Sequence, residues 1–319
     1  MAADRVATGG VPDSWNMSDR IVITGAGGLV GRTLAAAAHR RGHTVVTLTS
    51  AECDITDPLA VERHVDANDV VVNCAAYTKV DEAERDEARA SAVNVTGAEY
   101  VAHACARAGA ALIHLSTDYV FSGEFGDEAR RPYEIDDETG PLSVYGRTKL
   151  AGEFAVLAAL PDANIMRTSW IFSGGDGSDF VAAMRAKALS DDVVDVVADQ
   201  IGSPTYVGDL VEAVLDVAGG AVSEPVLHAA NAGQASRYEQ ARAVFELVGA
   251  DPERVRPVGT DRHPRPAPRP AYSVLSARRS TEAGLPPLRP WREALAAALQ
   301  GQERSDPGTG PESPLPSTP

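Results

Sequence analysis

The chain has 319 residues, 44% hydrophobic and 23% charged, with a formal charge of −16. That length accommodates one large α/β domain or two smaller ones sharing a cleft, and the composition is that of an ordinary globular protein. An acidic balance of this size repels nucleic acid and anionic membrane surfaces, so a phosphate-bearing ligand needs a local site of amides and selected basic groups.

Cys53, Cys74 and Cys105 are scattered and odd in number, forming neither a disulfide framework nor a metal-ligand cluster. Buried free thiols in a reducing compartment are expected, and no metal. No apolar run approaches the ~18 residues of a membrane span. The opening "MAADRVATGGVPDSW" lacks the apolar core of a signal peptide, which points to the cytoplasm. "MSDRIVITG", from Met17, looks like a complete beginning, so the preceding residues read as a flexible leader or a mis-assigned start.

In chain order, "RIVITG" predicts a strand, followed by a helical period to Arg41. "TVVTL", a short helix near Pro58 and "DVVVNCAA" come next, then a long helix from about Asp86 to Ala108. "ALIHLST", a helix carrying Tyr145, and "ANIMRTSW" complete the regular part. Short Val/Ile/Leu runs separated by helices predict a parallel sheet covered on both faces, a Rossmann-like doubly wound α/β fold. After Trp170 the rhythm loosens. "DVVDVVADQIGSPT" predicts a strand and a loop, "VGDLVEAVLDVAGG" a helix, "PVLHAAN" a strand and "SRYEQARAVFELVG" a helix. "RPVGTDRHPRPAPRPAYS" reads as irregular, "WREALAAALQ" as a last helix, and the Pro/Ser/Gly tail as disordered. The expected division is a dinucleotide-binding domain (19–168 and about 205–233), a smaller α/β substrate-binding domain (about 169–204 and 234–300), and flexible termini (1–18 and 301–319).

"TGAGGLVG" follows the first strand and opens the first helix, giving Gly25, Gly28 and Gly31 a G-x-x-G-x-x-G spacing. Glycines there permit a tight turn and let amides approach a pyrophosphate at the helix N-terminus. An acid at the end of the second strand would select NAD by binding the ribose hydroxyls. "TLTS" offers hydroxyls instead, and Arg32 follows the third glycine, so NADPH is the expected cofactor, with NADH possible as well. Asp54 and Ile55 either flank the adenine or form a surface turn. Thr117, closing "ALIHLST", lies at the carboxyl edge of the sheet, where such folds bind ligands; a plain strand-end threonine is the alternative.

In "SVYGRTKLAGE", Tyr145 and Lys149 share one face of a helix at i and i+4. A free phenol has a pKa of about 10, so ionising it at pH 7 requires about 4 kcal/mol. One ammonium ~5 Å away supplies roughly 3 kcal/mol at an effective dielectric of 20, but under 1 kcal/mol in bulk water. The pair is useful only inside a cleft. Gly146 costs about 1 kcal/mol of helix propensity, a cost explained if something must approach the backbone closely.

Together these stretches resemble the extended short-chain dehydrogenase/reductases, and within them the dTDP-4-dehydrorhamnose reductase family, from about Arg20 to Gln300. "TGAGGLVG", "NCAAYTKVDEAE", "STDYVFSG", "PLSVYGRTKLAGE", "RTSW", "DQIGSPT" and "RPAYS" carry the resemblance. It implies reduction of the C4 keto group of a dTDP-4-dehydro-6-deoxyhexose. Thr117 would polarise the carbonyl, Tyr145 would donate the proton, and Lys149 would hold the nicotinamide ribose and tune Tyr145. Gly28, Leu29 and Val30 would lie along the pyrophosphate, and Ala76, Tyr77 and Thr78 beside the adenosine half. Thr117, Asp118 and Trp170 would meet the dTDP-sugar, with Val80 and Tyr119 near it. Some members bind magnesium through a glutamate soon after the third glycine; Arg32 and Thr33 stand there instead. Tyr272 replaces the Asn usual in "RPAYS". A monomer or homodimer is expected.

Two other functions fit the same framework. A sugar-nucleotide dehydratase or epimerase is one, but elimination needs an Asp-Glu pair after the strand-end Thr, and Tyr119 follows Asp118 here. The other is a non-catalytic NADP-binding subunit like that of methionine adenosyltransferase, against which the complete Thr117/Tyr145/Lys149 set argues. Arg256, Arg262, Arg265 and Arg269 form either a lid over the diphosphate or a solvated proline-rich linker.

Overall fold

The computed structural model describes residues 20–303 except 127, 128, 176 and 221. The expected leader and the tail beyond Glu303 lie outside the described residues.

Six strands, β1 (Arg20–Thr24), β2 (Thr44–Leu48), β3 (Val70–Asn73), β4 (Ala111–Thr117), β5 (Asn164–Thr168) and β6 (Val226–His228), form one sheet. All pairs are parallel, in the order β2-β1-β3-β4-β5-β6. Their sequences explain this. Ile21, Val22, Ile23 and Thr24 are at most 2% exposed, so β1 needs cover on both faces, which only a helix-flanked parallel sheet supplies.

Helices α1 (Leu29–Arg40) and α5 (Val207–Ala218) cover one face through Leu34, Ala38, Leu210 and Val214. Helices α2 (Ala98–Ala108) and α3 (Val144–Ala159) cover the other through Val101, Cys105 and Val156. Each fully buried aliphatic contributes about 1.5–3 kcal/mol. The strand order reverses between β1 and β3, and ligands of such sheets bind beyond the carboxyl ends at that reversal.

A third core lies off the sheet, where Phe172, helix α4 (Phe180–Ala188), helix α6 (Arg237–Leu247) and helix α7 (Trp291–Glu303) pack together. Ser236 and Glu239 close a capping box at the start of α6. α7 runs past Gln300, where the tail was expected to begin.

Two expectations change. The proline-rich segment is not wholly irregular: Val255–Val258 pairs in parallel with Val194–Val197 before the chain turns. The helix expected from Asp86 to Ala108 is broken into Glu87–Ser91, a π-helical turn at Ala92–Gly97, and α2. π-turns widen a helix locally and concentrate at functional sites. Here the widened turn presents Asn94, whose amide takes the Tyr77 N–H at 2.8 Å and donates to Thr148 at 3.0 Å. Among the described residues no helix is long and apolar enough to cross a membrane.

Candidate active site

The glycine loop joins β1 to α1 at the strand-order reversal. Gly25 has φ +67°, and a Cβ there would lie 2.5 Å from the Ala75 backbone nitrogen; one at Gly31 would lie 2.6 Å from the Gly25 carbonyl. Both glycines therefore serve the loop's own close packing. Gly27 and Gly28 differ, since a Cβ at either would meet nothing nearer than 3.7 or 3.4 Å. Their bareness leaves room at the N-terminus of α1, the cradle a pyrophosphate requires.

That cradle opens into a cleft of about 700 Å³ lined by Gly25, Gly28, Leu29, Val30 and Gly31, by Asp54 and Ile55, and by Ala76, Tyr77 and Thr78. Ten of the sequence-predicted cofactor residues thus line one space, whereas Arg32, Tyr145 and Lys149 are not among its lining residues. Arg32 has its guanidinium folded onto the Gly27 carbonyl. Asp54 accepts from Thr56 in a turn, as one of the two readings had it, whereas Ile55 is 4% exposed in the core.

Thr49, Ser50, Cys53 and Arg89 line the same cleft and were not predicted as cofactor residues. Arg89 belongs to the short helix broken off by the π-turn. The expected lack of an acid at the end of β2 also needs correction. Glu52 reaches back to accept the Thr49 N–H and hydroxyl, both at 2.8 Å, and these bonds hold its carboxyl below the usual range.

Helix α3 carries the reacting groups. Ser143 caps it by accepting the Gly146 N–H at 3.1 Å, and Glu84 accepts the Val144 N–H at 2.8 Å. A Cβ at Gly146 would lie 2.3 Å from the Tyr119 carbonyl oxygen, and one at Gly152 would lie 2.1 Å from that of Asn94. The backbone approach expected at Gly146 is therefore Tyr119, and both glycines let α3 close on its neighbours. Behind it, Glu153 and Arg167 of β5 form a buried ion pair at 2.7 Å.

So placed, Tyr145 reaches Thr117, paired with Thr168 at the carboxyl end of β4. Burial pushes the phenol above its ordinary pKa, and the Thr117 hydrogen bond partly offsets this. Thr117 donates to Asp118 Oδ1 and accepts the Tyr119 N–H, both at 3.2 Å, which fixes its hydroxyl beside the phenol. The Tyr119 ring lies edge-on to Tyr145 at 5.6 Å.

Lys149 is 2% exposed, and its placement differs from the expected direct action on the phenol. Nζ donates to the Leu115 carbonyl at 2.7 Å and lies 3.2 Å from His114 Nε2. Burial brings its pKa down to about 8, against the opposing charge of Glu153. His114 was missed; its one signal was a polar residue in the middle of an apolar strand.

On the substrate side, Asp118 faces inward rather than into an open pocket. It is 2% exposed, and Ser273 of "RPAYS" donates to its Oδ2 at 2.5 Å. Burial raises its pKa, with the Ser273 bond opposing. Trp170 sits in the left-handed region at φ +46°, its ring against Gly202, where a Cβ would come within 2.5 Å. The guanidinium of Arg237, not foreseen from the sequence, lies 3.6 Å from that ring's centroid.

Arg269 pairs with Asp81 at 2.9 Å, and Arg265 approaches Asp81 at 3.8 Å. Two of the four arginines thus tie the proline-rich segment to the helix that Val80 begins, while Arg256 and Arg262 are exposed. Tyr272 is core, with its hydroxyl on Gln234 at 2.9 Å.

Comparison with known proteins bears on the family and the fold. Residues 19–304 match the family model described as RmlD substrate binding domain. The chain belongs to that family. A dTDP-4-dehydrorhamnose reductase of Mycolicibacterium smegmatis is 62% identical over 303 residues, covering 95% of this chain and 90% of the relative. One from Mycobacterium tuberculosis is 58% identical, covering 94% and 98%. The crystal structure of the Bacillus anthracis dTDP-4-dehydrorhamnose reductase in complex with NADP superposes with TM-score 0.81 at 32% identity, covering 89% of this chain and 100% of that one. Fold and family agree with the expectation from the motifs of this RmlD-family chain.

Proposed function

We propose that this protein is an NADPH-dependent reductase of the C4 keto group of a dTDP-4-dehydro-6-deoxyhexose, of the dTDP-4-dehydro-L-rhamnose type. The sheet and its glycine loop would form the dinucleotide-binding part, and the core around Phe172 and α6 the substrate-binding part. One observation carries the reading: the half-buried Tyr145 stands beside Thr117 at the end of β4, one helical turn from Lys149, while the glycine-lined cleft lies at the carboxyl ends of β1, β2 and β3 of the same sheet. The related structure bound to NADP supports the choice of cofactor.

When bound, the reduced dinucleotide supplies a hydride. The chain's own residues supply the rest. Tyr145, held protonated by burial, gives its proton to the substrate oxygen as negative charge develops there. Thr117, tethered by Asp118, orients that hydroxyl. Arg237 and Trp170 would hold the sugar nucleotide, and Thr49, Ser50 and Arg89 the adenosine half of the cofactor. The elimination weighed from the sequence has no second carboxylate beside Asp118, whose own oxygens are taken by Ser273 and Thr117.

General-acid assistance is typically worth 10²–10⁴-fold. Tyr145→Phe is therefore expected to lower kcat by about that factor, with NADPH binding retained, measured as loss of NADPH absorbance with the dTDP-ketosugar. Activity above a tenth of wild type would remove Tyr145 as the proton donor.

A further inference from the structure

The geometry assigns His114, fixed by Asn73, as a positioning residue that presents an N–H to the Lys149 amine and so sets the pH at which Lys149 takes up its proton. Its catalytic consequence rests on the reductase reading; the tautomer itself does not.

The inference follows from which atoms can only donate. Asn73 Oδ1 accepts the Ala75 N–H at 3.1 Å and the Thr24 hydroxyl at 2.7 Å. A backbone N–H cannot accept, so the oxygen end of the Asn73 amide is fixed, and its nitrogen faces His114 Nδ1 at 3.0 Å. An amide nitrogen only donates, so Nδ1 must be the bare, accepting nitrogen of the ring. His114 is 1% exposed, and burial, with the nearby Lys149, holds its pKa well below the ordinary value. In a neutral imidazole with Nδ1 bare, the hydrogen is on Nε2.

That hydrogen points at Lys149 Nζ, 3.2 Å away. An ammonium has three donors and no lone pair, so it would oppose one N–H to another. A neutral amine accepts from Nε2–H and still donates to the Leu115 carbonyl at 2.7 Å. The pocket is therefore built for the uncharged lysine. The other groups that face Nζ do not reverse this preference. Cys74, after β3, is a buried thiol pushed up to about 12 and carries no charge at neutral pH. Glu153, one turn further along α3, is paired with Arg167 of β5. Tyr145, one turn earlier, is a protonated phenol. Lys149 consequently exchanges its proton close to neutrality rather than at the pH of an ordinary lysine.

The chain contains only three lysines, Lys79, Lys149 and Lys187, so ¹³Cε-lysine NMR of the whole, dinucleotide-free protein reads the Lys149 titration directly. ¹⁵N-histidine spectra of the same protein read the tautomer. Expected are a bare Nδ1 and protonated Nε2 at His114, and a lysine step near pH 8 sensed at Nε2. Asn73→Asp keeps acceptors for Ala75 and Thr24 but takes the ring proton onto Nδ1, leaving Nε2 to accept from an ammonium. In that variant the tautomer should reverse, and the Lys149 step and the basic limb of the kcat profile should move up by a unit or more. An Nδ1–H tautomer in the wild type, an imidazolium at pH 7, or a reversed tautomer with an unmoved lysine step would each overturn the assignment. If the variant does not fold, the wild-type titrations decide alone. Because they need no turnover, they stand or fall separately from the Tyr145→Phe result.

Discussion

Arg237 stacks on Trp170 at 3.6 Å and approaches the Phe180 ring at 5.0 Å. A guanidinium held between aromatic faces retains its charge while losing water, and cation–π contact is worth about 0.5–2 kcal/mol in such settings. Burial lowers its pKa to about 10, still charged at neutral pH. A cation so placed beside a predicted sugar-nucleotide residue suits phosphate oxygens. Arg237→Ala is expected to raise KM for the dTDP-ketosugar about tenfold or more while leaving the NADPH Kd within twofold. A fall in NADPH affinity instead would put Arg237 on the cofactor side.

Among the elements, α3 depends most on what it touches. Its Tyr145/Lys149 spacing could be read from the chain, because i and i+4 share a face in any helix. Its seating could not, because Gly146 and Gly152 only acquire a reason once Tyr119 and Asn94 are known to lie against them. Gly152→Ala adds a methyl 2.1 Å from the Asn94 carbonyl, so α3 must withdraw from the π-turn that holds Tyr77. Overpacking of this kind costs about 1–3 kcal/mol. Thermal denaturation should show Tm lowered by several degrees, and kcat/KM should fall with it; an unchanged Tm would mean the π-turn yields freely. The break in the predicted long helix falls at the same place. Val93, Asn94, Val95, Thr96 and Gly97 are weak helix formers, and the tertiary contact between Asn94 and the Tyr77 backbone is made at that same turn.

Across the whole molecule, buried histidines set the acid limit. His228 is 2% exposed, and burial, then the Arg167 charge, lowers its pKa to about 3. A folded pKa below the unfolded value of about 6.5 means that the unfolded chain binds the extra proton. Its contribution is therefore complete above pH 6.5 and is lost as pH falls toward 3, amounting to roughly 3 kcal/mol by pH 4. Denaturant titrations from pH 7 to 4 should show this loss in the wild type and a shallower slope in His228→Asn. Equal slopes would mean that His228 is already protonated in the fold or is not the group responsible.

By itself the sequence determined the doubly wound sheet, the glycine turn and the shared helix face of Tyr145 and Lys149. Each is written in local periodicity or spacing, and strands and helices with those patterns have few ways to bury their apolar faces. Only the tertiary structure decided which way the polar side chains turn. Lys149 faces β4 rather than the phenol, Asp118 faces Ser273 some 155 positions along the chain, and Glu52 bends back to the end of β2. A buried donor or acceptor takes whatever partner the packing brings within about 3 Å, and that partner belongs to another element whose distance is not encoded in local pattern.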